Sequence, residues 1–138
     1  MPQLKGVVET VLYTRDMNAA RDFFESVMGL QAHTADHRFT AYALAWNMLL
    51  IFAEGETRET VELPDAQGTI PPHDGTGRQH IAFAIEAEAL ADWERHLQAN
   101  DIAIEGRTHW PQGAISIYFR DPDAHLLELV TPGIWPNY

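Results

Sequence analysis

The sequence predicts an α+β fold made of two repeated βαβββ modules. Three observations predict it. A strand-like run followed by an amphipathic helical run occurs twice, at VVETVLYTRD with residues 17–28 and at QHIAFAI with residues 87–99. Each helical run is followed by three short strand-like runs. A stretch rich in Gly, Pro and acid, residues 54–77, separates the two sets.

In module one (about 5–54), the first helix has Ala20, Phe23, Phe24 and Val27 at helical spacing, which makes one apolar face. Asp16 suits the N-cap, and Gly29 suits a left-handed stop. Strands are expected at about 31–35, 39–45 and 47–53. In module two (about 78–132), Ile81, Phe83 and Ile85 alternate with His80, Ala82 and Ala84. Leu90, Trp93 and Leu97 mark the second helix, and Asn100 takes the place of the stop. Strands at about 102–108, 114–120 and 125–130 complete the repeat. Residues 55–77 read as an inter-module linker or as a flap over a site. The tail TPGIWPNY is suited to packing on its own domain or to covering apolar surface at a subunit contact.

With 138 residues, 46% of them hydrophobic, the chain can bury a core, and one domain spanning 1–138 is expected. No run is long and apolar enough to span a bilayer, and the first residues lack the pattern of a secretory signal, so a cytoplasmic location is expected. The formal net charge of -11 opposes binding to nucleic acid or to anionic membranes, which rely on Lys and Arg to neutralise phosphate. The lack of Cys excludes disulfides, thiolate zinc sites and a cysteine nucleophile.

The repeat also concentrates metal-ligand chemistry. The offset that carries Gly29 onto Asn100 carries Glu9 onto His80. Laying NMLLIF over AHLLEL pairs Ile51 with Glu128. Three of these four related positions hold metal-binding side chains. Glu9 lies between Val7 and Val11, and Glu128 between Leu126 and Val130, on strands where such neighbours share a face. A carboxylate among apolar side chains is costly unless it is paired or bound to a cation. One divalent ion held by Glu9, His80 and Glu128 answers that cost. Two oxygens and one nitrogen suit Mn²⁺, Fe²⁺, Co²⁺, Ni²⁺ or Zn²⁺, and three protein ligands leave positions open for substrate. The alternative for each residue alone is ordinary: an ion pair with Arg15, Arg78 or Arg120 for the carboxylates, a packing role for the imidazole. His33, His37 and His73 read as surface, His96 lies opposite its helix's apolar face, and His109 adjoins Trp110 at a pocket rim. His125 should face the other side of its strand from Glu128, without a ligand role. Ser116 and Tyr118 share a strand face and are candidate substrate-binding residues, with Trp46, Phe52 and Trp110 as further lining.

VLYTRDMNAARDFFESVMGL, GRQHIAFAI and SIYFRDPDAHLLELVTP resemble the first strand and helix, the fifth strand and the eighth strand of the vicinal-oxygen-chelate (VOC) superfamily, which groups glyoxalases, bleomycin-resistance proteins and dioxygenases. The resemblance covers nearly the whole chain. It implies sheets curled around an open metal-containing cleft, a homodimer, and ligands drawn from one or both subunits. It places the first-strand ligand on Glu9, the fifth-strand His on His80 and the eighth-strand Glu on Glu128. Glu9 stands where His or Gln is usual. Ile51 at the fourth position argues against glyoxalase I proper, and extradiol dioxygenases use two His and one Glu. In DPDAH, Ala124-His125 replaces the usual Gly-Asn, so a different turn geometry is expected.

The same resemblance implies that a bound divalent metal would chelate a small substrate through two neighbouring oxygens and favour lyase or isomerase chemistry. Glu9 is the preferred catalytic base and Glu128 the alternative. A non-haem iron dioxygenase and a metal-free drug- or metabolite-binding protein are the competing classes. Thiol transfer to a phosphonate fits less well, because the chain has a single Lys and no evident anion-binding loop.

Overall fold

The computed structural model describes residues 1–138. Its contacts divide the chain into two units, Met1–Gly77 and Arg78–Tyr138. No helix is long and apolar enough to cross a membrane.

The first unit begins with strand β1 (Glu9–Thr14) and helix α1 (Met17–Asp22), which runs on through one π-helical turn (Phe23–Val27). Asp16 caps α1 by accepting the amide N–H of Ala19 at 3.1 Å, and Gly29 takes the left-handed stop at φ 69°. Strands β2 (Ala32–Ala35), β3 (Phe39–Ala43) and β4 (Met48–Ala53) complete a sheet in the order β1-β4-β3-β2. β1 runs parallel to β4, and the other pairs are antiparallel. Thr10, Leu12 and Thr14 alternate with Glu9, Val11 and Tyr13, and helix α1 packs against β4.

Residues 54–77 are more organised than the linker or flap expected from their composition. They form a small hairpin, β5 (Val61–Glu62) with β6 (Thr69–Ile70), and return to the first sheet. His73 makes the return contact. Its Nδ1 sits 2.5 Å from the Tyr13 hydroxyl, its carbonyl accepts the Thr57 hydroxyl at 2.5 Å, and its ring lies edge-on to Phe52. The expectation of a plain surface His73 is therefore wrong. A residue in a Pro-rich stretch has no periodicity to reveal what it will touch.

The second unit repeats the first. Strand β7 (His80–Ala84) leads through a short 3₁₀ turn (Ala87–Ala89) into helix α2 (Leu90–Ala99). Strands β8 (Gly106–His109), β9 (Ile115–Arg120) and β10 (Leu126–Val130) follow, in the order β7-β10-β9-β8. Again the first strand runs parallel to the last. Ile117, Phe119, Leu127 and Leu129 are fully buried on the face away from His80 and Glu128. The tail packs on its own unit: the Tyr138 hydroxyl donates to the carbonyls of Ile85 at 3.0 Å and Val130 at 3.2 Å.

Three sequence expectations need correction. The left-handed stop after α2 is Asp101, at φ 58°, whereas Asn100 has φ -99°. Ala124 adopts φ 63°, so the DPDAH turn keeps a left-handed geometry suited to Gly despite its Cβ. The pairing of Ile51 with Glu128 is one residue out. Leu126 lies opposite His80 as Met48 lies opposite Glu9, so the counterpart of Glu128 is Leu50. A slip of one residue reverses a strand's faces, and Ile51 is buried on the other side. The fourth position still lacks a ligand, because Leu50 is as apolar as Ile51.

Candidate metal centre

Strands β7, β10 and β9 place side chains on one face by register. Leu126 pairs with His80, Glu128 pairs with Ala82 and Tyr118, and Val130 pairs with Ser116. His80 and Glu128 are thus diagonal neighbours, as are Glu128 and Ser116, and diagonal neighbours in a sheet are within reach of longer side chains.

His80 is oriented by the backbone. Its Nδ1 lies 2.8 Å from the carbonyl oxygen of Leu126. A carbonyl only accepts, so Nδ1 carries the proton. In the neutral ring Nε2 then bears a lone pair, directed at Oε2 of Glu128 from 3.3 Å. A positive charge between them, whether a proton on the ring or a bound cation, satisfies both. This donor pair, an imidazole nitrogen and a carboxylate oxygen with the imidazole's other nitrogen bonded to a carbonyl, fits a divalent cation. Glu128 is only 4% exposed, so water does little to compensate its charge. Its second oxygen, Oε1, accepts the hydroxyl proton of Ser116. Ser116 in turn accepts the indole N–H of Trp110 at 2.8 Å.

These residues line a cleft of about 720 Å³. His80 and Glu128 line it together with aromatic and aliphatic side chains, among them Trp110, Tyr118, Trp135 and Tyr138. Of the side chains expected in the wall, Trp110 and Tyr118 line this cleft, and Ser116 lies beneath it, fully buried against Glu128. Phe52 belongs to the first unit, stacked on Phe39 at 5.2 Å between ring centres, and Trp46 is 85% exposed between β3 and β4. Neither is among the residues lining the cleft. Glu9 is exposed at the first position of β1 in the first unit. Trp135 and Tyr138 were missed as lining. Their signal was the aromatic, Pro-rich tail, which alone does not say which surface it covers.

A second group of metal-type side chains gathers at the turn before β10, where ligand atoms of Asp121, Asp123 and His125 lie within 4.8 Å of one another. Here the hydrogen bonds already account for the carboxylate of Asp121. Its Oδ1 accepts the amides of Asp123 at 3.0 Å and His125 at 2.8 Å, and its Oδ2 accepts Nδ1–H of His125 at 2.6 Å. The cluster caps the turn held open by Ala124. Arg120 is likewise engaged with Glu105 and the carbonyl of Ala124, not with Glu128.

The family model of the Glyoxalase/Bleomycin resistance protein/Dioxygenase superfamily matches residues 6–129. This chain belongs to that superfamily. Among VOC relatives, the metallothiol transferase FosB of Bacillus licheniformis is 27% identical over 134 residues, covering 96% of this chain and 79% of that protein. The glutathione transferase FosA of Serratia marcescens is 25% identical over 126 residues, covering 91% of this chain and 80% of the relative. The crystal structure of a lactoylglutathione lyase from Agrobacterium tumefaciens superposes with a TM-score of 0.86 and 26% identity, covering 98% of this chain and 99% of that one. The two mixed four-stranded sheets are thus those of the VOC fold, as the repeat predicted.

Proposed function

We propose that this protein is a divalent-metal enzyme that performs lyase or isomerase chemistry on a small oxygenated substrate, with His80, Glu128 and Glu9 as the protein ligands of the ion. The observation that carries this reading is the convergence of two ligand-type atoms, His80 Nε2 and Glu128 Oε2, 3.3 Å apart, with the other polar atom of each side chain already hydrogen-bonded. Glu9 enters through its repeat-related position, supplied by this chain or by a second copy in a homodimer. When bound, the ion supplies Lewis acidity that stabilises negative charge developing on a substrate oxygen.

The protein's own groups divide the remaining work. Glu128 is buried and fixed by Ser116, which suits a permanent ligand and not a mobile base. Glu9 is exposed, so its side chain is freer than that of Glu128 to leave the ion and act as the base. Trp110, Tyr118 and Trp135 give the cleft an apolar wall, which suits a substrate with an apolar body and oxygens at one end.

A second reading, thiol transfer to a small electrophile, is favoured by the likeness to proteins named metallothiol transferase and glutathione transferase. It uses the same ion and assigns the apolar wall to the acceptor or the thiol.

Metal titration of chelator-treated protein tests the metal reading. One Mn²⁺, Ni²⁺ or Zn²⁺ per chain is expected, and Glu128→Gln should weaken it by more than the roughly 10–100-fold lost with an outer-shell partner. Unchanged affinity in Glu128→Gln and His80→Ala would sink the ligand set. Turnover of hydroxy-carbonyl substrates without thiol selects the first reading, and strict dependence on added thiol selects the second. Mixing Glu9→Ala with Glu128→Gln protein separates the sources of Glu9. Recovered binding in the mixture requires ligands from two copies.

A further inference from the structure

The Glu128 carboxylate is restrained on one oxygen by a chain of two residues that begins in the cleft wall. An indole N–H can only donate, and that of Trp110 donates to Oγ of Ser116 at 2.8 Å. That bond occupies a lone pair of the serine hydroxyl. The hydroxyl proton is then committed to Oε1 of Glu128, which accepts it. The direction of both bonds follows from the donor at the start of the chain. Ser116 has no solvent exposure, so water does not stand in for either partner.

The hairpin between β8 and β9 explains why Trp110 can reach. Its amide donates to the carbonyl of Ala114 at 2.9 Å, and its carbonyl accepts the amide of Gly113 at 3.0 Å. Gly113, at φ 94°, reverses the chain where a side chain would be strained. The indole comes back over the strand that follows it and meets Ser116, six residues on.

From this geometry we infer that Trp110 and Ser116 are positioning residues for the metal ligand Glu128. They engage Oε1 with a hydrogen bond and turn Oε2 toward His80 Nε2, as the oxygen that would meet an ion there. The inference rests on the metal reading above. It assigns Ser116 a place behind the ligand instead of against substrate, and it gives Trp110 a second duty besides walling the cleft.

Three variants separate these duties. Ser116→Ala removes the bond to Glu128. Trp110→Phe keeps an aromatic wall and removes the donor. Ser116→Thr keeps the hydroxyl. Calorimetric titration with Mn²⁺ should show an affinity loss of about 10–100-fold for Ser116→Ala and a smaller loss for Trp110→Phe. Ser116→Thr should stay within about threefold of the unaltered protein, as rescue by the hydroxyl requires. In the Ser116→Ala background Trp110→Phe should add almost nothing, because both act through one hydroxyl. In metal-free protein the indole N–H proton resonance of Trp110 should shift in Ser116→Ala, which reads the chain without any activity. Circular dichroism identifies variants that retain the fold. If folded Ser116→Ala binds Mn²⁺ as tightly as the unaltered protein while Glu128→Gln does not, the positioning role is refuted and the metal reading stands. If the unaltered protein takes no Mn²⁺, Ni²⁺ or Zn²⁺, both fall.

Discussion

At the scale of single residues, the chemistry turns on which atoms already have partners. His80 spends Nδ1 on a carbonyl and Glu128 spends Oε1 on a hydroxyl, so the atoms left to meet are Nε2 and Oε2. His125 shows the contrasting case. It too is a histidine beside a carboxylate, but Asp121 is committed to the turn, and Nε2 of His125 is buried with no hydrogen-bond partner. Its ring packs in the core and makes one hydrogen bond, to Asp121. The same turn carries a measurable cost at Ala124, whose φ of 63° suits Gly better than a residue with a Cβ. Ala124→Gly should therefore stabilise the protein by about 0.5–1 kcal/mol, the relief of left-handed strain less the added freedom of the unfolded chain. Urea unfolding midpoints measure this, and a lower midpoint in the variant would show that the turn is not strained.

At the scale of elements, two attachments set the surroundings of each sheet. In the first unit the segment 54–77 is tied to β1 by the Tyr13 hydroxyl on His73 and braced by Arg58 on Asp74 at 2.8 Å. The Arg58 guanidinium also holds the Asp74 carboxyl below the usual carboxylate range. Tyr13→Phe deletes one hydroxyl and leaves the ring contacts with Phe52 and His73. It should cost about 1 kcal/mol locally and raise the rate of limited proteolysis within 54–77 several-fold, with cleavage elsewhere unchanged. Uniformly faster cleavage would mean that the bond supports the whole unit and not the segment. In the second unit the tail is anchored through Tyr138, and this anchor keeps Trp135 at the cleft. Gly133 permits the approach, because a Cβ there would come within 3.1 Å of the Gln112 carbonyl oxygen.

At the scale of the whole molecule, the phenols that burial perturbs predict the alkaline end of the pH profile. Burial raises the phenol of Tyr42 far above its ordinary value, and the nearby Glu25 carboxylate adds to the effect. Burial, then the Asp74 carboxylate, raises Tyr13; burial also raises Tyr138. A group whose folded value is raised contributes stability that is complete below its unfolded value, about pH 10 for a phenol, and is lost as pH rises through the folded value. Alkaline unfolding should accordingly coincide with phenolate absorbance from these tyrosines. Phenolate signal from all of them well before loss of near-ultraviolet circular dichroism would contradict the burial described.

Periodicity alone determined much of this protein. Alternation fixed the faces of β7 and β10, helical spacing found both helices, and the repeat of strand and helix predicted two related sheets and put forward Glu9, His80 and Glu128, of which His80 and Glu128 lie side by side. These are local properties, set by how each residue type behaves in a strand or helix. Register was not local. Whether Ile51 or Leu50 matches Glu128 depends on how β1 and β4 align, and letters of similar hydrophobicity do not record that. The partners of the polar atoms were equally out of reach: Trp110 over Ser116, Tyr13 over His73 and Tyr138 over Val130 are contacts made by turns and loops, whose paths carry no period. Sequence chose the chemical groups, and tertiary structure decided which of their atoms remain to bind.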